Sequence, residues 1–496
     1  MIRIFVVGII TLTATSCAVN NRATQKYSAE SLRKDFAAAR NILETKHPSL
    51  YMYTPKDSMD MYFDIYNSLI KDSMNELQFV WRIMMPMIEK VHCGHTSIAM
   101  SKSFSKQNAK LTLPAFPYYL KVWGDTMVVT GAVNRKSAKL GRGTYITSIN
   151  GVSNKDLIAR MLRSLSKDGY AENMNFIRLS TNFPYYHRNI VGISPVYTIT
   201  YLDSNFTEKT LTQPVFMPLP DTAKIKAKRV DPKPLDTAAK VKPKKIDKML
   251  KYRNFSIDST GTYAIMELNT FGAGHSLPLF FSRAFTKLKK QNVNNLILDL
   301  RNNGGGNIAV AISLLEYLSR ENFRFADSVF SKTRNLGSHT MRADGLFLNN
   351  LWLHLIARKS DDGFFHIRNM ERKVYHPKKN KNFNGNLYII TGGPTFSAST
   401  VLCNILKGQP NVTLVGEQTG GGWYGNNGVV IPYVKLPETR IRLRLPLFRL
   451  INYKHDIANK GLGILPDWAI APNYEAIVKK YDNKMYQVIE HIMQKQ

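Results

Sequence analysis

Apolar residues recur every three to four positions between residues 28 and 91. Leu32, Phe36, Ala39, Ile42 and Leu43 form one stripe, and residues 77–88 carry another. That period predicts amphipathic helices, with Ser28 and Ser31 marking the start of the first and Pro48 its end. From residue 108 to 206 the pattern shortens to strand-like runs: LTLPAFPYYLKVW, TMVVTGAV, GTYITSIN and VYTITYLD. Beyond residue 251, compact apolar runs (TYAIMEL, NLILDL, NLYIIT, VTLVGE) alternate with helical segments at 277–288, at 308–318 and after Ser397. This alternation predicts an α/β core with helices packed on a sheet. Residues 320–385 are less regular. Residues 474–493 read as one closing amphipathic helix with Ile477, Tyr481, Tyr486, Ile489 and Ile492 on its apolar face.

The N-terminus changes the picture of where this core works. Residues 1–17 read MIRIFVVGIITLTATSC, one arginine followed by an apolar run too short to cross a bilayer. Small residues lead into Cys17, the pattern of a secretory signal peptide, and Ala-Thr-Ser-Cys resembles a bacterial lipobox. The expectation is an exported chain lipid-anchored through Cys17, in the cell envelope and facing the periplasm. The alternative is an ordinary exported precursor with an incidental cysteine. Residues 18–26 form a polar tether. No later segment has the length and freedom from charge of a membrane helix.

Net charge is +32. Part of it lies in the Lys/Pro-rich stretch 218–250, which has few large apolar groups and is expected to be a solvated linker. An exported chain without a recognisable nucleic-acid motif argues against nucleic acid as a partner. Attraction to anionic envelope surfaces or acidic substrates suits the charge, as does a solvated excess with no specific partner. Cys93 and Cys403 are too few for a disulfide framework; their apolar patterns favour two small buried side chains, with one bridge between them in an oxidising envelope as the alternative. His92 and His95 lack nearby third and fourth ligands for a metal.

The chemistry concentrates in three motifs. TGGPTFSAST at 391–400 follows an apolar strand and brings Ser397 to the mouth of a helix. There the helix dipole favours both a nucleophile and the oxyanion it creates. A plain helix cap is the other use of a serine in that place. NLILDLRNNGGGN at 295–307 ends a buried strand in a Gly-rich turn whose backbone can approach a ligand closely. No Lys-Ser/Thr pair follows these glycines, which disfavours a phosphate loop. EKVHCGHTSIAM at 89–100 presents His95 after an apolar-periodic segment.

With GEQTGGG at 416–422 and GILPD at 463–467, these motifs resemble the serine peptidase family that includes the C-terminal processing peptidases and the tricorn core enzyme. The resemblance spans most of the chain beyond residue 27. It implies a ClpP/crotonase-like α/β catalytic core, with Ser397, not Ser399, as nucleophile. Tail-specific members use a lysine at the position of Gly422, and no lysine lies between Lys407 and Lys435. The resemblance therefore points to the tricorn-like branch, with His95 as general base. It also implies an oxyanion site made of the Ala398 N–H with Gly304 or Gly305, and no metal or organic cofactor.

Two positions depart from the tricorn-like pattern. Gly94 stands where a serine precedes the histidine, and Lys460 where a late acid is expected. Asp456 is the nearest upstream carboxylate and is taken as the orienting acid; Glu417 and Asp467 are alternatives, and Asp467 also suits a loop-fixing role. A backbone carbonyl could instead orient the histidine.

LGRGTYITSINGVSNKDLIARML at 140–162 resembles a PDZ-like module, which binds peptide ends at a sheet edge. Ile149-Asn150-Gly151 also reads simply as a hairpin turn. The expected organisation is a helical region carrying GHT at 27–107, a PDZ-like β-rich module at 108–217, the basic linker at 218–250, and the catalytic core at 251–496. The expected function is a serine endopeptidase acting on exported proteins or peptides, possessing no nucleic-acid partner. The alternatives are a non-catalytic ligand- or peptide-binding protein on the same fold, or hydrolysis of a non-peptide ester or amide.

Overall fold

A computed structural model of the chain describes residues 25–109, 111–218, 249–335 and 346–495. The expected signal peptide, Cys17, most of the tether and nearly all of the basic linker lie outside the described residues.

The first helix, α1 (Ala29–Lys46), starts at Ser28, whose Oγ accepts the Ser31 N–H at 3.2 Å. Its apolar stripe, Leu32 to Leu43, is buried. Residues 76–89 are helical too, with a π-helical stretch at Val80–Met84 in the middle. They end at the loop that carries His95.

The next region is an antiparallel sheet with neighbours in the order β1 (Tyr118–Trp123), β2 (Thr126–Ala132), β3 (Tyr145–Ile149), β4 (Val196–Leu202) and β5 (Glu208–Pro214). Asn150 and Gly151 turn at φ 51° and 75°, the conformation a two-residue hairpin demands, and Val152–Ser153 returns to pair with β3. Helix α2 (Asn154–Leu162) follows, capped by Ser153.

The core is a six-stranded sheet in sequence order: β6 (Arg253–Ile257), β7 (Ala264–Leu268), β8 (Asn295–Asp299), β9 (Asn386–Thr391), β10 (Val412–Gly416) and β11 (Trp468–Ala469). Only β6 runs antiparallel to its neighbour; the other pairings are parallel. Parallel strands need both faces covered, which explains their unbroken apolar runs. Alternate residues serve alternate faces. Leu296, Leu298, Leu387, Ile389 and Leu414 join the main core with helices α3 (Leu277–Lys290), α4 (Ile308–Leu318) and α5 (Ala398–Leu406). Ile297, Tyr388, Ile390 and Val415 face Val488 and Ile492 of α6 (Asn483–Gln494).

The expected single closing helix is two. Tyr474–Lys479 ends at Lys480, in the left-handed region at φ 61°, and α6 restarts with Asp482 as its cap. The restart is tied to the catalytic-side loops. Arg301 bridges Asp299 (2.7 Å) and Asp482 (2.6 Å), fastening the end of β8 to the start of α6. The irregular 320–385 stretch contributes Ala326–Ser331, which pairs with Phe448–Asn452, itself paired with Gly425–Gly428. This second sheet walls the site.

Removing Arg301 leaves Asp299 buried without its cation, so Arg301→Ala should cost about 3 kcal/mol. Asp482 is half exposed, and its loss, cap included, should cost about 1 kcal/mol. Urea unfolding of the two variants checks the order; equal costs would remove the asymmetry.

Candidate active site

Ser397 lies between β9 and α5 at φ 56° and ψ −125°, a conformation that side chains other than glycine rarely adopt. The turn is held from both sides. Thr395 Oγ1 donates to Leu300 O (2.9 Å), and the Phe396 N–H donates to Asn303 O (3.1 Å), so the loop after β8 grips the turn after β9. Thr400 Oγ1 donates to Thr395 O (3.1 Å) from within α5. Ser397 is half-buried and lines a cavity of about 540 Å³. Ser399 is fully buried inside α5, and its Oγ has no hydrogen-bond partner among the described residues.

Gly305 passes directly over this turn. A Cβ there would lie 2.8 Å from Ser397 Cβ and 2.9 Å from Ala398 N, and its φ is +89°. Only glycine fits. The Gly305 N–H is already committed to Asn303 Oδ1 (3.0 Å). Of the expected oxyanion donors, Ala398 and Gly304 therefore keep N–H groups without an acceptor among the described residues.

His95 is 3% exposed and lies against the Phe396 ring, with centroids 4.6 Å apart. No hydrogen bond joins it to Ser397 Oγ among the described residues, and its Nδ1 is buried without a partner. Burial, then the positive charges of Arg444, Arg449 and Arg178, push its pKa down to about 3. The ring is thus neutral at pH 7, able to accept a proton, with nothing yet offsetting the charge it would gain. The Gly94 departure has a steric cause. A Cβ at position 94 would lie 2.7 Å from Phe396 Cζ, so the ring occupies the space a serine would need.

The loop carrying His95 is fixed at both ends. Ser49 N–H donates to His47 Nδ1 (3.2 Å), which puts that ring's proton on Nε2, from where it donates to Thr96 Oγ1 (3.0 Å). On the other side, the Asp168-Gly169 loop supplies three bonds. Gly169 N–H donates to His92 O (2.9 Å), His92 Nδ1–H donates to Gly169 O (2.8 Å), and Gly94 N–H donates to Asp168 Oδ1 (2.7 Å). The same segment continues to the nucleophile-side turns, where Asn173 Nδ2 donates to Gln418 O (3.0 Å) and Gly393 packs directly on Asn173.

The structure brings Ser397, Ala398, Gly304, Gly305 and His95 into one neighbourhood, but not Asp456. That carboxylate is spent on a local turn, accepting from Asn459 N (3.2 Å) and Nδ2 (2.8 Å), because the nearby chain offers it those donors first. Glu417 is paired with Lys484 on α6, and Asp467 holds the Leu414 N–H (2.9 Å) and Lys407. Lys460 lies over the Tyr424 ring. Cys93 and Cys403 are both buried, free thiols. Asp168, whose second oxygen is unpartnered among the described residues, was not legible as a site residue, since Asp-Gly reads as a turn.

Residues 262–470 match the family model described as Peptidase family S41. The chain carries a peptidase family S41 domain. Serine-type peptidase is therefore its enzyme class. The matched span contains Ser397, the Gly304–Gly305 turn and GILPD, while His95 and Asp168 reach the S41 domain from outside it. Mature CPAF complexed with lactacystin superposes with a TM-score of 0.64 at 13% identity, covering 94% of this chain and 99% of that one. Mature CPAF alone gives 0.62 at 12% identity, covering 94% and 98%. At these identities the likeness is one of fold. No curated protein sequence matches the chain.

The cavity beside Ser397 is mainly apolar, lined by Ile308, Ile312, Phe325, Trp352, Met370 and Val401 among others. Trp352 and Met370 come from the irregular 320–385 stretch. Gly305→Ala should lower peptidase turnover by at least ~100-fold, because its Cβ displaces the oxyanion-side backbone. Gly304→Ala has open space at its Cβ and should remain folded with activity within about tenfold of wild type. Parallel turnover and melting measurements decide; an active Gly305→Ala protein would remove the close-approach requirement.

Proposed function

We propose that this S41 chain is an endopeptidase of exported or envelope proteins, acting through an acyl-enzyme on Ser397. The observation that carries this reading is Ser397 itself. It is held at positive φ on a helix start, opens onto an apolar cavity, and lies under a glycine, with the Ala398 and Gly304 N–H groups lacking an acceptor among the described residues. Ser397 Oγ attacks the peptide carbonyl while its proton passes to His95 Nε2. The carbonyl oxygen becomes an oxyanion held by the Ala398 and Gly304 N–H groups. Collapse breaks the C–N bond as His95 returns the proton to the leaving amine. Water then attacks the acyl-enzyme with His95 again as base, releasing the acid and restoring the Ser397 hydroxyl.

The cavity lining favours substrates with a large apolar side chain next to the scissile bond. Among the described residues no further strand pairs with β5 at the edge of the β1–β5 sheet, which suits recruitment of peptide ends in the PDZ-like manner. A second reading, a binding protein on the same fold, draws support from the absence of a Ser397–His95 hydrogen bond and from Lys460 at the expected acid position. Bond-making geometry in ligand-free enzymes is often loose, so peptidase activity remains the better account.

Ser397→Ala should lose a fluorophosphonate label and at least ~10³-fold in turnover while remaining folded, and His95→Ala should lose a similar factor in turnover. Ser399→Ala should label normally. A peptide panel should show kcat/KM ~10- to 200-fold higher for large apolar than for charged residues at the scissile bond. Free and amidated C termini in that panel test recruitment, with equal KM values removing it. A folded wild type that neither labels nor cleaves would shift the assignment to the binding reading.

For location, the lipobox-like Ala-Thr-Ser-Cys supports anchoring through Cys17 in the cell envelope. Cys17→Ala should abolish incorporation of labelled palmitate and move the protein from the membrane to the soluble fraction. Unchanged membrane retention without label would sink the lipid anchor.

A further inference from the structure

His95 has buried neighbours that the mechanism above leaves unused. Asp168 is 4% exposed, and its Oδ1 accepts the N–H of Gly94, the residue directly before His95. Among the described residues neither its Oδ2 nor His95 Nδ1 has a hydrogen-bond partner, although both atoms are buried. Two unpartnered buried groups, an acceptor and a potential donor, lie at adjoining points of one loop contact. Each is costly alone, and each is what the other lacks. Asp456, by contrast, has both oxygens occupied in its own turn.

We infer that Asp168 is the positioning carboxylate of His95, receiving its Nδ1–H on Oδ2 when substrate is bound. This rests on the reading of Ser397 and His95 as the reacting pair. The bond fixes the His95 tautomer, with the proton on Nδ1 and a free Nε2 for the serine proton. The carboxylate also supplies the negative charge that His95 otherwise lacks among Arg444, Arg449 and Arg178. The carboxylate thus reaches His95 from the segment between α2 and Asn173–Thr181, instead of from the late chain.

The charged and titratable groups facing Asp168 come from several elements: Arg449 on Phe448–Asn452, Arg178 on Asn173–Thr181, Cys93 on the GHT loop, and Tyr53 after α1. Burial pushes the Asp168 carboxyl up to about 6, opposed by the Gly94 N–H, Arg449, the nearby Gly422 N–H and Arg178. It is ionised at pH 8 and protonated below about 6. The folded value is raised, so the folded state favours the protonated form. That contribution to stability is complete below the ordinary value near 3.8 and is lost as pH rises through about 6. Asp168 in its working, charged form therefore weakens the fold.

The test uses the full chain, with wild type, Asp168→Asn, Asp168→Glu, Ser397→Ala and His95→Ala compared on one cleaved peptide. Asp168→Asn keeps an oxygen for the Gly94 N–H but cannot be a charged acceptor. It should lose about 10²- to 10⁴-fold in kcat/KM at pH 8, with a melting midpoint at or above that of wild type. Wild-type kcat/KM should fall as pH drops through about 6, and the residual activity of Asp168→Asn should lack that limb. Asp168→Glu, which restores the charge, should recover part of the loss. Wild-type activity and an unchanged acid limb in Asp168→Asn, with Ser397→Ala and His95→Ala inactive, would overturn the inference and leave the Ser397–His95 reading standing. Loss of activity together with loss of the folded state in Asp168→Asn, with no recovery in Asp168→Glu, also overturns it, by marking a purely structural role. An active His95→Ala protein overturns the underlying reading itself.

Discussion

The site depends on one strained turn. At φ 56° and ψ −125°, Ser397 holds a conformation that costs about 1–3 kcal/mol, and it persists only because its surroundings leave no alternative. Those surroundings are two parallel strands in fixed register. Pairing of Leu298 with Ile389 and Asp299 with Ile390 brings the ends of β8 and β9 level, so their loops meet. Thr395 and Phe396 then bond back to Leu300 and Asn303, and α5, buried at every residue, prevents the turn from relaxing outward. Glycine at 305 is a consequence of this arrangement, since two backbones pass closer than a side chain allows.

The remaining groups come from far away in sequence. The GHT loop is held by α1 through His47 and Thr96, and by the Asp168-Gly169 loop through three hydrogen bonds. The segment after Asp168 also packs on the turns around Gly393 and Gln418. It works as a wedge between the helical region and the core, setting the distance between histidine and serine. Phe396 completes the joint by filling the space beside Gly94 and supporting the imidazole.

Electrostatics in this joint run against stability. A buried histidine surrounded by arginines has its pKa pushed down to about 3, and a buried aspartate is pushed up to about 6. Arg449 is itself 2% exposed, with two of its nitrogens unpartnered among the described residues. Unpaired polar groups of this kind are costly, and a chain selected for stability alone would replace them with apolar residues. Their meeting around His95 follows the general tendency of perturbed ionisable groups to gather where chemistry is done.

What the sequence determined by itself was local. The 3.6-residue period of α1, the unbroken apolar runs of β8 and β9, and the Asn150-Gly151 hairpin were legible because each depends on neighbours within a few positions. The strand–helix alternation likewise carried the α/β core, and TFSAS and NNGGG marked a serine beneath a close backbone approach. The break at Lys480 was not legible, because the restart of α6 is tied to Arg301, about 180 residues away, through its bond to Asp482. Nor was the partner of the histidine loop. Asp456 is nearer in chain order to the motif where an acid is expected, but its turn consumes it, whereas Asp168 reaches Gly94 only after the sheet and helices have folded together. Which carboxylate is buried beside which ring is a property of packing, and a single sequence records hydrophobic period and turn chemistry but not the meeting of distant loops.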